Sequence, residues 1–366
     1  MGPSLRVLHL NTEKSWRGGE NQIRLLIDGL RSKVEYLCGV APGGSVAVLD
    51  RKWNCELFSL ASSSPLDFRN IFKLVQVCKK QNIQIIDAHS AGAHSLALKA
   101  LVFLPLVKLV VHRRVDNVPK SSFFTKRKYF SNRVQAYIAI SKAIAGILKE
   151  YGISEEKLKI ARSAYSLTEF SISKEEAQTQ LRKTHSLDAN TVLIGNASAL
   201  SPQKGYETLI DAVKILKTRK LKFHVFIAGS GKLEEGLHQQ VKALDLESHI
   251  TFLGFIQDVH SFLLGLDILA VPSRWEGLGT ILLDGASAGC ALVGSKVGGI
   301  PEIIDNEMSG LLIERENPEQ LAKALEKLIL NPQSRLIMSH NAKLKVSTEF
   351  SPESMVNANL EIYRGL

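Results

Sequence analysis

The stretch Val271-Pro-Ser-Arg-Trp-Glu-Gly-Leu-Gly-Thr-Ile-Leu-Leu-Asp-Gly-Ala286 decides how this chain is read. The apolar run before it, residues 266–271, has the length and composition of a buried strand, and Pro272 ends it. A tight turn containing Gly277 and Gly279 follows, and a helical pattern opens at about Thr280. Glu276 and the backbone N–H groups of Leu278, Gly279 and Thr280 therefore stand where a strand ends and a helix starts. A helix start binds phosphate, because its first N–H groups have no partner inside the helix. A carboxylate repels phosphate, so Glu276 is expected to meet hydroxyls. Asp284 falls about two helical turns further on and can accept from a second diol. Phosphate donors flanked by two hydroxyl acceptors describe a site for a nucleotide sugar.

Outward from this stretch, strands and helices alternate in both halves. Residues 6–10, 34–40, 83–88, 106–112 and 136–140 read as strands, with helical patterns at 21–30 and 70–81. Residues 160–172 are rich in Ser and weakly periodic, and read as a linker. The second half restarts at 192–195 and continues through strands at 223–228, 250–253, 291–294 and 310–313, with helices at 205–217 and 233–243. This alternation predicts an α/β protein of two doubly wound, Rossmann-like domains, each on a parallel sheet. In such sheets ligands bind outside the carboxyl ends of the strands.

Composition bounds the class. The chain has 366 residues, 45% hydrophobic and 22% charged, as expected of a soluble globular protein of two domains. No apolar run reaches the ~18–20 residues that span a bilayer, since 100–111 is interrupted by Pro105 and Lys108. The first residues lack the regions of a signal peptide, so a cytoplasmic protein is expected. Cys38, Cys55, Cys78 and Cys290 form no CxxC pair and read as reduced residues. Net charge is +10, unevenly spread: residues 1–165 hold 26 Lys and Arg against 12 Asp and Glu, the remainder 20 against 24. The first half is expected to meet something anionic. Residues 120–133 interleave Phe123, Phe124, Tyr129 and Phe130 with Lys126, Arg127, Lys128 and Arg133. That pattern suits an anionic membrane surface, and also a nucleic acid or a solvated helix with buried rings. Duplex or RNA-binding motifs are absent, so no nucleic-acid partner is expected.

The stretch 271–286 resembles the acidic Glu-x7-Glu motif of retaining glycosyltransferases with the GT-B fold, family 4 (glycosyl transferases group 1), with Asp284 in place of the second Glu. The resemblance implies an acceptor domain at 1–165 and a donor domain at 166–351 facing a central cleft, with the final helix, 352–366, packing back on the first domain. It implies transfer of a sugar, with retention, from a UDP- or GDP-sugar to an acceptor hydroxyl. The acceptor class would be a glycolipid or a cell-surface saccharide of lipopolysaccharide type, with the enzyme peripheral on the membrane. A non-catalytic nucleotide-sugar-binding subunit is the alternative. Trp16-Arg-Gly-Gly-Glu20 matches the family's glycine loop, so Gly18 and Gly19 would approach the donor and Glu20 the acceptor side. Ser198-Ala-Leu-Ser-Pro-Gln-Lys-Gly205 resembles its Arg-Leu-x-x-x-Lys-Gly loop, which makes Lys204 a phosphate ligand. The companion Arg falls at Ala199, and Arg274 is the replacement cation expected here. Gly229 and Gly254-Phe255 match positions near the nucleotide base, and Gly298-Gly299 a supporting loop. His112 ends a strand where the family places a histidine near the reacting sugar. His89 retains the second histidine of a His-x-His pair whose first position is Asp87. Arg113 and Arg114 either bind an acceptor phosphate or face water. No cofactor and no metal are expected, since no Asp-x-Asp motif and no ligand-spaced His/Cys cluster occurs.

Overall fold

A computed structural model describes residues 5–13, 18–40, 56–62, 64, 66–166 and 172–366, with backbone alone over 35–40. The chain divides into two compact units, Met1–Ala164 with Pro352–Leu366, and Tyr165–Ser351.

The first unit alternates β1 (Arg6–Leu10), α1 (Gly18–Leu30), β2 (Glu35–Val40), β3 (Glu56–Ser59), α2 (Phe68–Lys80) and β4 (Ile85–Ala88). It continues with α3 (Ala91–Ala100), β5 (Lys108–Arg113), α4 (Phe123–Tyr129), β6 (Val134–Ala139), α5 (Lys142–Glu150) and β7 (Leu158–Ile160). The sheet is parallel, in the order β3-β2-β1-β4-β5-β6-β7. Its central strands are buried on both faces, as parallel strands between helical layers must be, and apolar apart from residues such as His9 and Asp87 towards their ends. One layer packs α2, α3 and Tyr129 of α4 on the sheet. On the other lie α1 and the final helix, whose Met355, Val356, Leu360 and Tyr363 join Val7, Leu26 and Ile85.

The second unit runs α6 (Lys174–Thr184), β8 (Val192–Ala197), α7 (Tyr206–Lys217), β9 (Phe223–Ala228), α8 (Glu234–Ala243), β10 (Ile250–Gly254) and α9 (Val259–Leu264). Then come β11 (Ile268–Val271), α10 (Thr280–Ser287), β12 (Ala291–Ser295), α11 (Ile300–Ile303), β13 (Leu311–Ile313), α12 (Pro318–Leu330) and α13 (Pro332–Glu349). The last helix, α14 (Pro352–Arg364), belongs to the first unit. The second sheet is also parallel, ordered β10-β9-β8-β11-β12-β13.

In both sheets the order reverses once: between β1 and β4, and between β8 and β11. Helices on either side of such a point diverge to opposite faces and leave a crevice at the strand ends. The expectation of two doubly wound parallel sheets is met. Strands β3 and β7 are additions to the sequence reading, and β7 closes where the linker was placed. The glycine pair is helical, since α1 begins at Gly18; Trp16 and Arg17 lie outside the described residues.

Candidate active site

In the second unit, Lys204 follows β8 and Glu276 follows β11, so both stand at the switch point of that sheet. Lys204 Nζ lies 2.5 Å from Glu276 Oε2, and Ser273 Oγ donates to the same oxygen at 3.4 Å. Two hydrogen bonds lace the turns: Arg274 N–H donates to Gln203 O at 2.8 Å, and Gln203 Nε2 to Trp275 O at 3.2 Å. Glycine permits this approach. A Cβ on Gly205 would stand 2.0 Å from Pro272 O, and one on Gly298 1.6 Å from Glu276 O, and both residues are left-handed. The Gly298-Gly299 loop thus buttresses the Glu276 turn from behind.

Helices α7 and α10 begin behind left-handed Gly205 and Gly279, with no side chain capping either. By contrast Ser173, Asn317 and Asn331 cap α6, α12 and α13 with their side chains. The first N–H groups of α7 and α10 are therefore not taken by a cap and can meet an anion. Lys204 at a helix start opposes the helix dipole, and here Glu276 is the anion that offsets it.

Other expected donor residues are placed differently from one another. Gly229 donates its N–H to Gly254 O at 2.7 Å and packs against Ser198 O, so it joins strand ends. Phe255 beyond β10 is 76% exposed. Arg274, the expected replacement cation, pairs with Glu316 at 3.0 Å and Glu207 at 3.9 Å. Asp284 accepts from the Ser166 N–H at 2.7 Å. Burial pushes its carboxyl up to about 6, against the pull of those Ser166 bonds.

In the first unit, the ends of β1, β4 and β5 bring His9, Asp87, His89 and His112 together, with His9 opposite Asp87 in the β1–β4 register. All four are buried. Asp87 Oδ2 lies 3.0 Å from His112 Nε2, 3.4 Å from His89 Nε2 and 3.6 Å from His9 Nδ1. It also accepts from Tyr363 Oη at 2.5 Å. The rings stack, with centroids 5.3 Å apart for His9–His89 and 4.5 Å for His89–His112. Burial pushes the imidazoles down, His9 to about 4, and Asp87 opposes this without overcoming it. Burial would push Asp87 up, but the His112 and His89 rings that face it, with a hydrogen bond from His112, hold its carboxyl below the usual carboxylate range. Arg114 Nη2 donates to His89 Nδ1 at 3.3 Å, and Glu20 Oε1 accepts from Asn11 Nδ2 at 3.1 Å. Arg113 bonds Tyr129 Oη at 3.1 Å and Asn117 Oδ1 at 2.7 Å, and so shapes the chain before α4.

His9, Asp87 and His89 each offer one ligand atom, all within 4.8 Å of one another, a grouping that sequence spacing did not show. Arg114 donates to His89 Nδ1, so that nitrogen carries a lone pair and the neutral ring has its proton on Nε2. Nε2 is the atom that would bind a metal, and it instead faces His9 Nδ1 at 3.0 Å as a donor. The donor set therefore fits protons better than a cation. His9, Asp87 and Tyr363 were missed in the sequence, because only strand register and the return of α14 bring them together.

Comparison with known proteins follows from this geometry. Residues 16–165 match the model described as Glycosyltransferase Family 4, and residues 177–345 match Glycosyl transferases group 1. Two relatives from Methanocaldococcus jannaschii are described as uncharacterized glycosyltransferases. One is 27% identical over 62% of this chain and 59% of its own, the other 35% identical over 46% of each. The matched region thus spans about half of each relative. The Anabaena protein HepE, solved with UDP and glucose, superposes with a TM-score of 0.83 at 21% identity, over 99% of this chain and 100% of its own. That likeness establishes the fold.

Proposed function

Because the chain belongs to glycosyltransferase family 4 and has the GT-B fold, we propose that it transfers a sugar from a nucleoside diphosphate sugar to an acceptor hydroxyl with retention of configuration. The observation that carries this reading is the Lys204–Glu276 pair beside two uncapped helix starts. A diphosphate competes with Glu276 for Lys204. As it docks on the amides of α10, Lys204 turns to phosphate and Glu276 is released to sugar hydroxyls. Negative charge then grows on the leaving diphosphate, and Lys204 with the N–H groups at Leu278, Gly279 and Thr280 meets it in a fixed arrangement. We assign no metal and no cofactor to this step. His112 is the first-unit group proposed to meet a carbohydrate hydroxyl, with Arg114 and Glu20 beside it.

The acceptor we propose is a glycolipid or cell-surface saccharide reached from the cytoplasmic face of a membrane. Two observations support it. Phe123 and Phe124 on α4 are 71% and 81% exposed beside exposed Lys126 and Arg127. No described helix is long and apolar enough to cross a membrane, so contact would be peripheral. HepE binds UDP-glucose, which makes a UDP-hexose the first donor to try.

The test is calorimetric titration of a panel of UDP- and GDP-sugars into the wild type, Lys204→Ala and Glu276→Ala. One donor is expected to bind the wild type and to lose affinity in Lys204→Ala. A folded wild type that binds none would overturn the donor site and leave a non-catalytic subunit as the better reading.

A further inference from the structure

The histidine cluster of the first unit contains one carboxylate, Asp87, at the end of β4, and it has the closest approach to His112. Three observations converge on it. Asp87 Oδ2 takes the Tyr363 hydroxyl at 2.5 Å, a contact supplied from α14, far along the chain. That helix is held against β1 and β4 by Met355, Val356 and Leu360, so the tyrosine is a fixed donor. Finally, neither ring nitrogen of buried His112 has a well-formed hydrogen bond, although Nε2 sits 3.0 Å from Oδ2 and Asn359 of α14 also faces the ring. A buried nitrogen without a well-formed hydrogen bond is costly and calls for an explanation.

The chemistry of the pair supplies one. An ionised carboxylate only accepts hydrogen bonds. The nitrogen of His112 that faces it must therefore carry the proton, and in the neutral ring the other nitrogen is left with a lone pair. We propose that Asp87, steadied by Tyr363, is a positioning residue that keeps the His112 proton on Nε2 and so presents Nδ1 as the acceptor for a hydroxyl of the bound carbohydrate. This rests on the transferase reading for its ligand, though the tautomer itself does not. Binding of that hydroxyl would satisfy Nδ1 and draw the ring into line with Oδ2. The groups that face His112 are Asp87 of β4 and His89 just beyond it, His9 from β1, Arg114 after β5, and Tyr363 and Asn359 from α14. Burial keeps the three imidazoles neutral and Tyr363 protonated, so around neutral pH Asp87 and Arg114 are the charges of the cluster.

The experiment is ring-nitrogen NMR of the full chain labelled with 15N-histidine, with His112 assigned from the signals lost in His112→Gln. The wild type is expected to show Nε2 protonated and Nδ1 bare. Asp87→Asn, whose amide can donate to Nε2, is expected to move the proton to Nδ1. With the donor identified by the titrations, Asp87→Asn should lower kcat/KM, because the hydroxyl loses its acceptor in the bound state as well as in the transition state. Tyr363→Phe keeps the shape of the ring and should lower kcat/KM by a smaller factor. A wild type protonated on Nδ1, a tautomer unmoved in Asp87→Asn, or a wild-type kcat/KM in that variant would each overturn the proposal. If Asp87→Asn does not fold, the wild-type tautomer still decides. The expected tautomer in a chain that binds no donor would instead count against the transferase reading.

Discussion

A single cation, Lys204, is asked to serve two anions in turn, Glu276 in the free protein and a diphosphate in the proposed complex. Charge-assisted hydrogen bonds are each worth about 1.5–3 kcal/mol. Lys204→Ala should therefore weaken donor binding by about 10–100-fold in calorimetry, whereas Glu276→Gln, which removes the anion competing for Lys204, should tighten UDP binding while the sugar of the full donor loses its contribution. Asp284 makes a different prediction. Burial lifts its folded value to about 6 from an ordinary 3.8, so the unfolded chain releases this proton first as pH rises. The contribution is full below about pH 4 and is lost as pH passes through about 6. Asp284→Asn, which keeps an oxygen for the Ser166 N–H, should remove that loss. Denaturant titrations should then show the variant gaining about 2 kcal/mol over the wild type between pH 4 and pH 7. The Lys204 and Glu276 positions were legible in the sequence because each sits in a short motif tied to a strand end. Asp87 and Tyr363 were not, since residues 87 and 363 meet through register and packing, which local spacing does not encode.

At the scale of elements, the site is built from helix starts that lack side-chain caps and from turns that only glycine can make. Most strands could be read from their apolar runs. Strand β3 was missed because its four residues are only half-buried or exposed, and β7 because it is three residues long, with Lys159 and Ile160 exposed. The left-handed glycines carry the sharper consequence. Gly298 has φ +51, and a Cβ there would meet Glu276 O at 1.6 Å. A left-handed non-glycine residue costs about 1–2 kcal/mol before any clash. Gly298→Ala should displace the Glu276 turn, lower the thermal midpoint by several degrees and abolish donor binding. Gly236 in α8 has nothing within 4 Å of an added Cβ, so Gly236→Ala should stabilise by roughly 0.5–1 kcal/mol and leave binding unchanged. Equal effects from the two substitutions would show that Gly298 has no special part in the Glu276 turn.

At the scale of the whole molecule, the positive charge and most of the exposed aromatic side chains among the described residues fall in the same half of the chain. Residues 1–165 carry an excess of 14 positive charges, from 26 Lys and Arg less 12 Asp and Glu. The composition showed that asymmetry but not where the rings of 120–133 point. The structure divides them: Tyr129 enters the core, while Phe123 and Phe124 stay outside it. On the same helical layer Phe72 of α2 stacks on Phe103 beyond α3, with centroids 6.4 Å apart, and both are exposed. Rings that insert at an interface and cations that hold it there act together, and each Lys or Arg near an anionic leaflet is worth about 1 kcal/mol. The full chain should therefore sediment with phosphatidylglycerol vesicles at low salt, release at high salt as the charges are screened, and ignore phosphatidylcholine vesicles and duplex DNA. Lys126→Gln with Arg127→Gln removes two charges, or about 2 kcal/mol, and should weaken vesicle binding about 30-fold. Phe123→Ser with Phe124→Ser should weaken it at every salt concentration, because burial of the rings is not screened. Donor affinity should be unchanged in both, since Lys204 and Glu276 lie in the other unit. Vesicle binding that survives both double substitutions would place the anionic partner on another part of the first unit.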